Sequence, residues 1–275
     1  MNYRITILCE NSVGPVSGTL GEHGFSALIE WESGGLLFDT GQGLTLLHNA
    51  QRMNKNLHRV ERVALSHGHY DHSGGLLPLL RNCGPKQVFA HPDVFAPRYR
   101  VNDRKEALAI GMPYPRDHLE GHGACFNLSD RFREIAPGIF LTGQIPRNNA
   151  APADAGLSAD PAGTVPDPFS DDQSLLLRTP AGTVVILGCC HAGLSATLRR
   201  AVELTDDDRI VAVVGGTHLG FCSEQHLEAT LTECSLFRVQ RWYPAHCTGL
   251  KALLRLQQRF PGAVLPAQVG TGFTC

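Results

Sequence analysis

Short runs of apolar residues alternate with polar ones along most of the chain, and most runs are too short for anything but strands. In the first half, "YRITIL" (3–8), "FSALIEW" (25–31), "GLLFD" (35–39), "RVALS" (62–66) and "QVFAH" (87–91) predict five strands. The second half repeats the theme with "IFLTG" (139–143), "SLLLRT" (174–179), "TVVILG" (183–188) and "RIVAVVG" (209–215), then "RWYPA" (241–245) and "AVLPAQVG" (263–270). Between them, residues 43–53, 74–82, 193–204, 223–236 and 249–259 carry the wider spacing of surface helices. For the second of these, Ser73 is a suitable cap, and Pro78 falls early enough in the helix to be tolerated. Two successive sets of strands with short helices between them predict two sheets packed face to face with helices outside.

Two polar tracts interrupt this pattern. Residues 147–172, "RNNAAPADAGLSADPAGTVPDPFSDD", hold almost no large apolar residue before Phe169 and are too long for an ordinary connection. The stretch 147–170 is therefore expected to be an active-site lid or a disordered insertion within a single domain spanning 1–275. A second stretch carries Arg98, Arg100, Arg104, Lys105 and Arg116 among Asp103, Glu106, Asp117 and Glu120, and reads as a solvated helix and loop or as a phosphate-gripping wall.

Composition adds exclusions. The 275 residues, 43% of them hydrophobic, can fill the core of a two-sheet α/β domain. A net charge of −2 offers no footprint for nucleic acid or an anionic membrane. No apolar run is long enough to span a bilayer, and the start "MNYRITILCEN" alternates like a strand, unlike a signal peptide. Nine cysteines, scattered and without a CxxC pair, are expected to be reduced thiols in a cytoplasmic chain. A small-molecule substrate is the expected partner; the oligomeric state is not legible.

The candidate chemistry concentrates in "SHGHYDHSGG", residues 66–75, where His67, His69, Asp71 and His72 fall in a six-residue window. Imidazoles and carboxylates do not crowd together for packing, because each needs a partner. The window follows a predicted strand and precedes a predicted helix, which makes a rigid mount for ions. Neutral imidazoles with one carboxylate suit zinc, with iron or manganese as alternatives. Four side chains on so short a loop cannot all close around one ion. His67 and His69 can share one ion while Asp71 and His72 point to a second, which predicts a dinuclear centre with further ligands downstream.

His67-x-His69-x-Asp71-His72 resembles the signature of the metallo-β-lactamase superfamily. "LLFDTG" (36–41), "VVILGCCHAG" (184–193) and "YPAHCTG" (243–249) resemble its other landmarks, in order. With "GEHGFSALIE", "DDQSLLL" and "GGTHLG" added, the chain looks most like the branch named after an archaeal 7,8-dihydropterin-6-methyl-4-(β-D-ribofuranosyl)-aminobenzene 5'-phosphate synthase. The resemblance implies a four-layer αββα sandwich with metals at one edge. It implies His191 and His246 as further ligands and Asp39 as the carboxylate beneath the site that orients a ligand histidine. Many members end the equivalent of "VVILGC" in Gly-Asp, with that aspartate bridging the ions, whereas this chain has Cys189 and Cys190 there. The bridge is thus open: Cys189 is one possible ligand, and Asp171 or Asp172 could supply a carboxylate or bind behind the ligands. His218 is expected to touch substrate or stabilise charge, or to be a hydrogen-bonded core residue. His23 is similar but weaker, and His48, His58, His91, His118, His122 and His226 are expected to be surface or structural.

The implied mechanism is hydrolysis: two cations bring a shared water toward a pKa of about 7. Asp71, His218 or a metal-held water would protonate the leaving group of a small phosphorylated or ester-type substrate, with a pterin-related synthase activity within range. A mononuclear iron dioxygenase of the same fold and a non-catalytic metal-containing ligand sensor are the alternatives.

Overall fold

The computed structural model describes residues 1–16, 18–147 and 156–275. Its first sheet runs in the order β16 (Gly272–Thr274), β1 (Arg4–Cys9), β2 (Ser26–Trp31), β3 (Gly34–Phe38), β4 (Arg62–Ala64), β5 (Lys86–Ala90) and β8 (Ala124–Leu128). The second runs β15 (Arg238–Ala245), β14 (Arg209–Gly216), β13 (Gly182–Leu187), β12 (Leu175–Thr179), β10 (Ile139–Leu141) and β9 (Arg133–Ala136). A small third sheet joins β11 (Leu157–Ser158), β6 (Tyr99–Val101) and β7 (Ala107–Ala109).

Strand alternation decides which residues fill which layer. Ile5, Ile7, Ala27, Ile29, Leu36 and Phe38 of the first sheet share one core with Leu175, Leu177, Val184, Ile186, Ala212 and Val214 of the second. Their neighbours point outward to be covered by helices. Leu8, Leu28, Leu37 and Val63 pack with α1 (Leu46–Arg52), α3 (Leu76–Cys83) and α4 (Arg116–Gly121). Leu176, Val185, Leu187 and Val213 pack with α5 (Leu194–Thr205), α6 (Glu224–Cys234) and α7 (Gly249–Arg259). Helix, sheet, sheet, helix: this is the αββα sandwich. No helix among the described residues is long and apolar enough to cross a membrane.

Three expectations need correction. "AVLPAQVG" is not a strand; it meets its neighbours only at isolated bridges through Val264 and Val269, because Pro266 cannot donate to a ladder. Ser73 does not cap the following helix. It closes a short helix, α2 (Tyr70–Ser73), and its hydroxyl donates back to His69 O at 2.8 Å, while α3 starts from Gly75 without a side-chain cap. The basic stretch is not one solvated face: Arg98 is buried, whereas Arg116 pairs with Glu120 at the surface. Of the tract 147–172, residues 148–155 lie outside the described part. From Gly156 onward it is ordered structure, with Leu157 and Ser158 paired to Arg100 and Tyr99.

What positions the site is strand direction. β3, β4 and β5 are mutually parallel, as are β13, β14 and β15, so the carboxyl ends of each trio lie along one edge.

Candidate metal centre

The residues that follow those strand ends are Asp39 after β3, the loop carrying His67 and His69 after β4, Cys189 to His191 after β13, His218 after β14, and His246 after β15. Asp39, Cys190, His218 and His246 all turn the chain with positive φ, at 58°, 65°, 56° and 50°. Such conformations cost a non-glycine residue about 1–3 kcal/mol and persist only where surrounding structure imposes them. Glycine is required where the sheets approach: a Cβ on Gly188 would collide with Ser66 Oγ, and one on Gly68 with the carbonyl of Val94.

The hydrogen bonds fix which ring nitrogens face inward. A carboxylate only accepts, so the 2.7 Å contact between His72 Nδ1 and Asp39 Oδ2 puts a proton on Nδ1 and turns Nε2 inward, where a metal ion would take the place of any second proton. Ser66 Oγ donates to the same carboxylate at 2.7 Å and therefore accepts from His67 Nδ1 at 2.8 Å, with the same result for His67 Nε2. His246 Nδ1 donates to Asn11 Oδ1 at 2.8 Å, an oxygen that also receives Gly24 N. The inward atoms crowd: His72 Nε2 lies 3.3 Å from His246 Nε2 and 3.1 Å from Cys189 Sγ, and His67 Nε2 lies 3.0 Å from His69 Nδ1. The other nitrogen of His69, Nε2, is buried without a hydrogen-bond partner. A shared proton can bridge each of these contacts, but the unpartnered Nε2 of His69 and the convergence of imidazole and thiol atoms on one edge fit a metal.

Two sets emerge. His67, Cys189 and His191 present ligand atoms within 4.8 Å of one another, as do His72, Cys189 and His246. Cys189 belongs to both. Cys190, the other half of the pair, faces the helix layer and bonds Thr197 Oγ1. Asp71 joins the second set, its Oδ2 3.2 Å from His246 Nε2 and 3.1 Å from His23 Nε2. His191 is held by Phe169, stacked on it at 4.1 Å and 10°, and by edge contact with His67 and His69.

Electrostatics follow from burial and charge. Burial, aided by neighbouring imidazoles, keeps His67 and His69 well below the usual histidine range, so both are neutral donors. Burial opposes charge on His72 too, but Asp71 and Asp39 outweigh it and hold its pKa at about 9. For Asp71, burial is overcome by His72 and by hydrogen bonds from His23 and His246, and its carboxyl stays well below the carboxylate range. An anionic Asp71 suits a ligand and not a proton donor. Burial lifts Asp172 to about 7, where it accepts Ala192 N at 2.8 Å. Asp171 instead accepts Gly68 N at 2.7 Å and the fork of Arg98 at 2.9 and 2.7 Å, so both aspartates stand behind the loops that carry ligands.

Sequence reasoning passed over several participants. Ser66, Asn11 and Glu10, which receives His246 N at 2.6 Å, act at strand ends on the same edge. Cys247 joins Cys189 and His218 in a further cluster. Arg98 also pairs with Asp167 at 3.1 Å. His218 sits on the cavity wall, its ring 4.4 Å from that of His191. His48 bonds Gly18 O, and His91 is buried, while His226 lines the cavity mouth.

That cavity, about 420 Å³, opens from the inward nitrogens to a wall of Tyr70, Leu108, Ile110, Leu157 and Phe221. Among the described residues lining it, Arg100 is the sole lysine or arginine.

A family model described as "Metallo-beta-lactamase superfamily" matches residues 20–144. The chain is 27% identical over 270 residues to the 7,8-dihydropterin-6-methyl-4-(beta-D-ribofuranosyl)-aminobenzene-5'-phosphate synthase of Methanocaldococcus jannaschii, covering 94% of this chain and 92% of that one. An uncharacterised protein of the same organism is 30% identical, with 86% and 88% covered. Among solved structures, Tm1679, described as a metal-dependent hydrolase of the beta-lactamase superfamily, superposes with a TM-score of 0.83 at 31% identity over 98% of both chains.

Proposed function

The chain belongs to the metallo-beta-lactamase superfamily, and from that premise we propose that it is a metal-dependent hydrolase with a dinuclear centre, acting on a small phosphorylated or ester-type molecule. The observation that carries this reading is the pair of inward-facing donor sets that meet at Cys189. His67, His69 and His191 would hold one ion, and Asp71, His72 and His246 the other. Cys189, whose Sγ belongs to both donor sets, would serve the ions as a thiolate in the role a carboxylate plays in many relatives. Thiolate and imidazole favour zinc over manganese, with iron as the alternative. Bound there, divalent cations would supply Lewis acidity and an activated water near neutral pH, the chemistry of metal-assisted hydrolysis.

The chain's own groups do the rest. Asp39 and Ser66 keep His72 and His67 in the tautomer that offers Nε2. Arg100, across the cavity, can grip a phosphate with its planar fork, and Leu108, Ile110, Leu157 and Phe221 accept a ring or alkyl portion. His218, on the cavity wall, would give a proton to the leaving group from one ring nitrogen while the other faces the thiols of Cys189 and Cys247, a task the anionic Asp71 does not share. The synthase name of the M. jannaschii relative supports a phosphorylated, pterin-related substrate. A reducing cytoplasm suits the nine free thiols.

Elemental analysis of protein purified without added metal, paired with panels of phosphodiesters, phosphomonoesters, lactones and thioesters, tests the reading. At least two ions per chain and turnover of one class are expected. One ion with iron colour favours the dioxygenase alternative. Tight binding without turnover favours the sensor.

A further inference from the structure

Next to the two donor sets lies a third group that brings in two side chains neither set uses. Ligand atoms of Cys189, His218 and Cys247 lie within 4.8 Å of one another. They follow β13, β14 and β15, neighbouring parallel strands whose register sets Leu187 beside Gly215 and Gly216 beside Ala245. Around one zinc ion, with bonds of about 2.3 Å to sulfur and 2.0–2.1 Å to nitrogen, tetrahedral donors stand roughly 3.3–3.8 Å apart, inside the 4.8 Å limit that these atoms keep.

The backbone makes room for the thiol, since a Cβ at Gly216 would overlap Cys247 Sγ. Cys247 Sγ also accepts His218 N at 3.3 Å, a contact that steadies a thiolate. A 3.0 Å hydrogen bond between the hydroxyls of Thr217 and Thr248 ties the two strand ends together. The cysteines are 4% and 5% exposed, and all three residues line the cavity, so a fourth ligand position opens toward substrate.

We propose that Cys189, His218 and Cys247 form a third cation position, rich in sulfur and open to the cavity, that takes a thiophilic ion such as zinc. Cys189 is shared with the neighbouring pair, so the inference rests on the two-ion reading for that sharing alone. Two thiolates and one imidazole select zinc over magnesium, calcium or manganese, which sets this position apart from the histidine and carboxylate sets beside it.

Metal-free protein kept under reductant is titrated with zinc, and separately with cobalt(II), and bound metal is counted after desalting. Near-ultraviolet absorption from thiolate-to-cobalt charge transfer is recorded alongside. The wild type is expected to hold three ions. Cys247→Ser and His218→Gln are each expected to lose one. The charge-transfer band should weaken in Cys247→Ser but persist through Cys189. His218→Gln, at a half-buried strand end, keeps the test open if Cys247→Ser fails to fold, which circular dichroism would report. A wild-type count of two, unchanged in both variants, overturns this inference and leaves the dinuclear reading standing. A count of one or none overturns the dinuclear reading and this inference with it.

Discussion

Cys189 Sγ stands 3.1 Å from His72 Nε2 while also belonging to the cluster that contains His67 and His191. One thiol therefore joins ligand sets drawn from both sheets. Removing it in Cys189→Ala should weaken binding of the second zinc equivalent by at least about tenfold, judged by the 10–100-fold cost of losing even indirect support. Cys189→Asp, which installs a carboxylate at the same place, should hold two ions. Chelator competition with both variants checks this.

Asp39 acts on two imidazoles at once, directly on His72 and through Ser66 on His67. Asp39→Asn should lower metal affinity by about 10–100-fold. Ser66→Ala should do less, because His72 keeps its carboxylate. Equal losses in the two variants would contradict the shared-carboxylate arrangement; zinc titrations monitored by a competing dye decide it.

Arg98 neutralises Asp171 and Asp167, the three side chains each no more than 2% exposed. Arg98→Met should destabilise the fold by about 3–5 kcal/mol, because two carboxylates stay buried without their cation. Adding Asp167→Asn and Asp171→Asn should recover part of that loss. Urea unfolding of the single and triple variants gives the comparison.

Much of this was readable in the chain, and the boundary is physical. His67, His69, Asp71 and His72 are local, so six residues display them. His191 and His246 announce themselves as histidines at strand-to-turn junctions. Asn11 does not, because its place depends on how the ends of β1 and β15 meet across 235 residues, and Cys247 does not, because it meets His218 and Cys189 only once β13, β14 and β15 lie side by side. The third sheet escaped notice since β6, β7 and β11 are at most three residues long and β11 finds its partner, β6, far back in sequence. "AVLPAQVG" misled in the opposite sense: its alternation is that of a strand, but Pro266 denies it a ladder. Arg98 looked solvated among surface charges, and only the fold reveals the aspartates waiting for it.

Arg100 should sort substrates by charge. Arg100→Ala is expected to raise KM about 10–100-fold for a phosphorylated substrate, the worth of a lost charge-assisted hydrogen bond of about 1.5–3 kcal/mol, with kcat little changed. A neutral ester should be indifferent. Steady-state kinetics on a matched pair of substrates would tell; an equal effect on both would remove Arg100 from recognition.

The small sheet of β6, β7 and β11 gives the cavity Arg100, Leu108 and Leu157 but contributes no donor to the proposed ions. On the proposed reading, recognition and reactivity are thereby written in separate stretches of chain, with the buried guanidinium of Arg98 at the border. Descendants could trade this flap for another of different shape and keep the edge of imidazoles and thiols intact, provided that Arg98 and its two aspartates pass along unaltered.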